Sequence, residues 1–114
     1  MVKYPHFFMM LHVSNSTEAY ELYHTAFGAE KISEDILSNG DAYIMMDVNG
    51  FPILVRPGEA DGQFCCVKFA TEEDLHRTYD LLSQEGTGYF QDAHWTSLLA
   101  FVTDKYGVGW MFCV

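Results

Sequence analysis

The chain has 114 residues, of which 49% are hydrophobic, 16% aromatic and only 19% charged, which excludes disorder and leaves room for a single domain over 1–114. Its 16 acidic against 6 basic residues give a net charge of −10, which repels a phosphate backbone and argues against nucleic acid as a partner. No apolar run is long enough to span a bilayer, and the opening MVKYPHFFMMLHV is too short and too alternating for a secretory signal, so a soluble cytoplasmic protein with no membrane partner is expected.

In chain order, HFFMMLHV (6–13) is an apolar strand candidate. Asn15 then stands where a helix cap is needed, and Glu18 can reach back to close a capping box. Ala19, Leu22, Tyr23, Ala26 and Phe27 form one stripe at helical spacing, and Gly28 supplies the C-terminal cap. EKISEDIL (30–37), DAYIMMDV (41–48) and FPILVRP (51–57) read as three strands joined by Asn39-Gly40 and Asn49-Gly50, each expected as a two-residue hairpin turn with positive φ at both positions. Pro52 predicts that its missing amide faces a sheet edge.

RPGEADG (56–62) is a turn-rich break, and beyond it the pattern starts again. QFCCVKFA (63–70) reads as a strand. Thr71 caps a helix whose apolar residues are Leu75, Tyr79 and Leu82, Gly86 is expected to close it, and strand candidates follow around Tyr89-Phe90, at 97–103 and at 109–114. The caps recur at about half the chain length, which implies an internal duplication: two βαβββ modules, 1–57 and 63–114. One such module leaves a sheet face bare, so the expected class is α+β, a curved mixed sheet with helices outside and a cavity within. The three cysteines are an odd number and Cys65-Cys66 point to opposite strand faces, so buried structural thiols are expected rather than a disulfide framework or zinc knuckle.

STEAYELYHTAFGAEKI (16–32) resembles the first helix of the vicinal oxygen chelate superfamily, which includes glyoxalase I, bleomycin-resistance proteins and extradiol dioxygenases. The second half, above all VTDKYGVGW (102–110), is similar to the PhnB-like branch, although Trp95-Thr96 stands where the branch has Trp-Gly. The chain has no Gly-rich strand-to-helix turn for S-adenosylmethionine, and no cofactor is implied. Metal-dependent relatives carry His or Glu ligands on the first and last strands of each module. Carried over by position, those places fall at Phe8, at Leu54 or Val55, at Cys65 and at Met111. Only Cys65 among them could bind an ion, so a metal is not expected.

The resemblance implies a homodimer holding a small organic ligand, aromatic or cationic, in apolar cavities. Phe8, Met10 and His12 share one strand face by the period of two, which would bring His12 to the ligand as a polar anchor. Met45, Cys65, Trp95, Phe101 and Met111 are expected to supply further dispersion and cation–π contacts. His24 and His76 are read as solvated helix residues, and the Asp104-Lys105-Tyr106-Gly107 corner as ordinary turn chemistry. Two other readings stay open: a metal-dependent lyase, isomerase or dioxygenase using His6, His12, Glu59 and His94, and a structural dimer whose cavity is filled by its own side chains.

Overall fold

A computed structural model describes residues 5–59 and 62–114. Residues 1–4 of the opening segment and 60–61 of the turn-rich break lie outside the described residues. The chain divides into two compact units, Met1–Asp61 and Gly62–Val114. Each is a βαβββ module with its own four-stranded mixed sheet, so the α+β class expected from the sequence is what the chain adopts.

In the first unit, β1 (Met9–Val13), α1 (Ser16–Phe27), β2 (Glu30–Ile36), β3 (Ala42–Val48) and β4 (Phe51–Pro57) give the sheet order β1-β4-β3-β2, with β1 parallel to β4 and the remaining pairs antiparallel. The Asn15 side chain accepts from the Glu18 amide at 3.1 Å, and Gly28 ends α1 at φ 73° with its amide on the carbonyls of the last turn. His24, read as solvated, has its Nδ1 2.7 Å from the carbonyl of Ala29, just beyond that cap. α1 lies against β1, β3 and β4. It buries Ala19, Tyr20, Tyr23 and Ala26 on the face where Leu11, Val13, Ile44, Met46 and Val55 are fully buried. Each of the large side chains in that layer contributes about 1.5–3 kcal/mol through burial.

The second unit repeats the plan with β5 (Phe64–Lys68), α2 (Glu72–Ser83), β6 (Thr87–Gln91), β7 (Leu99–Thr103) and β8 (Gly109–Cys113), in the order β5-β8-β7-β6. Thr71 caps α2 through a 3.1 Å bond from the Asp74 amide. Leu75 and Leu82 are buried beneath it, while Trp110 and Phe112 fill the sheet side of the core. The VTDKYGVGW stretch owes its pattern to Asp104, which is 3% exposed. Its carboxylate accepts from the amides of Tyr106 (2.9 Å) and Val108 (3.1 Å) and from Trp110 Nε1 (2.9 Å), so one side chain folds the β7–β8 corner and satisfies the buried indole.

Three local expectations are corrected. At Asn39-Gly40 only the glycine has positive φ, and Leu37 and Asp41 close a three-residue loop with the Leu37 amide on the Asp41 carbonyl at 2.8 Å. Asn39 spends its side chain on the Asp41 amide instead, which fixes the longer turn. Asn49-Gly50 does take positive φ at both positions, as expected. Gly86 is not a left-handed helix cap: α2 ends at Gln84 in right-handed geometry, and a Cβ on Gly86 would lie 2.1 Å from the Thr103 carbonyl. The glycine is there because β7 runs past it. Pro52, finally, lies in β4, an inner strand, but β1 first pairs at Met9↔Ile53, one residue beyond the proline, so no ladder bond is lost.

Candidate functional site

Each helix covers one face of its own sheet, and the opposite face is where the residues of interest gather. In the first unit, Lys31, which pairs with Met46, stands over the Tyr20 ring of α1 and so marks the helix-covered face. The strand alternation then puts Met10, Leu54, Met45 and Ser33 in one row on the other face, through the pairs Met10↔Leu54, Leu54↔Met45 and Met45↔Ser33. Beside this row, His12 pairs with Arg56, whose guanidinium lies over the Tyr43 ring at 4.7 Å. The row has a graded character: Met45 and Leu54 are buried, His12 and Arg56 are half-buried, and Met10 is 41% exposed.

The second unit carries the matching row. Tyr79 of α2 meets Phe90 at a centroid distance of 4.4 Å, which fixes the helix-covered face; His76, read as solvated, also lies against that ring at 5.2 Å. On the other face Cys66, Met111, Phe101 and Tyr89 line up across all four strands through Cys66↔Met111, Met111↔Phe101 and Phe101↔Tyr89. Phe101 stacks with Tyr89 at 5.2 Å and with Phe64 at 6.3 Å, giving an aromatic ladder beside two sulfur side chains.

Of the residues singled out from the sequence, Met10, His12 and Met45 therefore share the helix-free face of the first sheet, with half-buried Phe8 immediately before β1, and Phe101 and Met111 share that of the second. Cys65 does not join them. It pairs with Trp110 on the helix-covered face, where it is 5% exposed, and burial, followed by the neighbouring Cys66 and Asp104, pushes its thiol from 9.0 up to about 11. Cys66 is the thiol on the open face. Trp95 lies on the 92–98 connection, outside the strand rows, and is 56% exposed. A hollow of about 170 Å³ in that connection is lined by Phe90, Asp92, Thr96 and Leu98 rather than by the indole. Thr96, the departure from the Trp-Gly pattern, accepts from the Val114 amide at 3.1 Å and lies 3.0 Å from its carbonyl.

Sequence reasoning missed Arg56, Tyr43, Phe64 and Tyr89, because their common faces depend on strand register, which single-strand periodicity does not supply. The same register puts Leu54 rather than Val55, and Cys66 rather than Cys65, on the helix-free faces. Together with Phe8 and Met111, Leu54 and Cys66 offer a single thiol and no carboxylate or imidazole, a set that does not fit a divalent ion. Among the described residues no group of three or more His, Cys, Asp or Glu side chains is placed to hold a metal. Among them, too, no helix is long and apolar enough to cross a membrane.

No protein-family model and no curated protein matches the chain. Solved structures do. A PhnB protein from Bacillus cereus is similar at TM-score 0.74 and 18% identity, covering 96% of this chain and 98% of that one. TioX from Micromonospora sp. ML1 matches at TM-score 0.70 and 19% identity over 95% and 94% of the two chains. The fosfomycin resistance protein FosX from Listeria monocytogenes matches at TM-score 0.74 and 14% identity over 99% and 94%. The two four-stranded mixed sheets and their helices thus have the fold of the vicinal oxygen chelate, or glyoxalase/bleomycin-resistance, superfamily.

Proposed function

We propose that the protein binds a small organic molecule with an aromatic or otherwise apolar body, without a metal, on the helix-free sheet faces. The observation that carries this reading is the composition of the two rows: Met10, Leu54 and Met45 in one, Cys66, Met111, Phe101 and Tyr89 in the other. Thioethers and aromatic rings give dispersion and stacking contacts to a ligand. They give a hard divalent ion nothing to bind. One FosX structure from Listeria monocytogenes holds Mn(II) and sulfate, yet the corresponding chemistry has no donor set on these rows. His12, on the same face as Met10, is the polar group available to orient a ligand. Homodimerisation in the cytoplasm belongs to the same reading and rests on the resemblance and the apolar surplus; light scattering on the purified protein checks the dimer.

Thermal unfolding tests the proposal. A panel of aromatic acids, amides, amines and antibiotics should contain compounds that raise Tm by roughly 6 °C when present at tenfold over Kd. Mn²⁺, Ni²⁺ and Zn²⁺ should leave Tm unchanged to within about a degree. A panel without any stabilising compound would favour a self-filled cavity, and stabilisation by an ion alone would favour the metal-dependent reading.

A further inference from the structure

We infer that the ligand carries an oxyanion, and specifically a carboxylate, received by Arg56. This inference rests on the binding reading above and adds the ligand's charge. Of the four other lysines and arginines among the described residues, three stand in ion pairs, Lys31 with Glu34, Arg77 with Asp74 and Lys105 with Glu85, and the fourth, Lys68, is exposed to solvent. Arg56 has no such partner among the described residues, in a chain with 16 acidic side chains. Its Nη1 is spent on the soft Met10 sulfur at 3.9 Å, its plane rests on Tyr43, and its Nε is buried with no hydrogen-bond partner. The edge formed by Nε and Nη2 is the one that takes both oxygens of a carboxylate side-on.

A buried guanidinium donor without an acceptor is costly unless some state of the protein supplies one. Of the acids that register puts on this face, Asp35 pairs with Tyr43 on the far edge strand, two strand spacings or about 10 Å from β4, while Asp47, with Glu30 beside it, pairs with Pro52, four positions along β4 from Arg56, and its carboxylate accepts from the Gly50 amide at 3.0 Å; none of them makes an ion pair with Arg56. The apolar side chains around the fork set the rest of the ligand: Met10 against the guanidinium, Leu54 and Met45 in the adjoining row, and the Tyr43 ring. Met10, unbranched and 41% exposed, is the side chain able to move aside for the incoming group. The net charge of −10 would draw in a cation, but the charged group beside Met10 is Arg56, and recognition is decided at contact distance rather than over the whole surface.

Three probes of one shape separate the possibilities: 2-naphthoate, its neutral counterpart 2-naphthamide, and the cation 2-naphthylmethylamine, titrated into the full chain by calorimetry. The acid should bind at least about tenfold more tightly than the amide, the usual worth of a charge-assisted bond. Arg56→Gln should abolish that preference, and Arg56→Lys should keep part of it. An amide equal to the acid, or an amine bound better than both, would overturn the assignment of Arg56 while leaving the apolar binding face intact. Binding of none of the three would remove both that face and the inference. The acid-to-amide comparison needs no variant, so a failure of Arg56→Gln to fold does not weaken it.

Discussion

Asp104 is the residue on which the second unit's corner turns, since two backbone amides and the Trp110 indole all donate to its carboxylate. Asp104→Ala strands those donors and should cost about 3–5 kcal/mol in urea unfolding, whereas Asp104→Asn keeps an acceptor and should cost distinctly less. A loss below about 1 kcal/mol for the alanine variant would contradict this role. The paired cysteines give a second test at this scale. Cys65 is buried and Cys66 exposed, so a thiol reagent at pH 8 should modify Cys66 well before Cys65 in the folded protein. Because the folded thiol of Cys65 ionises at about 11 against 9.0 when unperturbed, its contribution to stability is complete below pH 9 and falls as pH rises from there toward 11. The slope approaches about 1.4 kcal/mol per pH unit. Urea midpoints of the wild type and Cys65→Ala across that window should converge as pH rises; parallel curves would show that the thiol is not held neutral.

At the scale of elements, the helix ends show how far local chemistry reaches. Asn15, Gly28 and Thr71 do in the structure what their sequence context implies, because caps depend on a few neighbouring residues. Gly86 does not, because its constraint comes from the Thr103 carbonyl, a neighbour brought by tertiary pairing. The two glycines therefore differ in a measurable way. Gly28→Ala meets no atom within 4 Å and pays only for its left-handed φ, about 1–2 kcal/mol. Gly86→Ala must displace a strand backbone and should cost roughly 2–4 kcal/mol. Equal losses would return Gly86 to the role of a plain helix terminator. The strands teach the same lesson: their existence is legible from apolar runs and turn residues, but the faces that Cys65 and Arg56 occupy follow from register, which shifts every side chain when it moves by one residue.

For the molecule as a whole, the duplication is the feature the sequence displays most openly, through caps and glycines repeated at half the chain, and both units adopt the same strand order. The candidate faces are less legible, since the members of each row come from the four strands of their own unit and line up only once its ladders form. The methionines offer the most direct test of the central claim, that ligand meets the helix-free faces. Met10, Met45 and Met111 lie on those faces, while Met46, which pairs with Ile53, and Met9 lie toward α1. With methyl-labelled methionine, a bound aromatic ligand is predicted to shift the Met10, Met45 and Met111 resonances and leave Met9 and Met46 in place. Ligand-dependent shifts confined to Met9 and Met46, or broadening of Met111 by stoichiometric Mn²⁺, would contradict it.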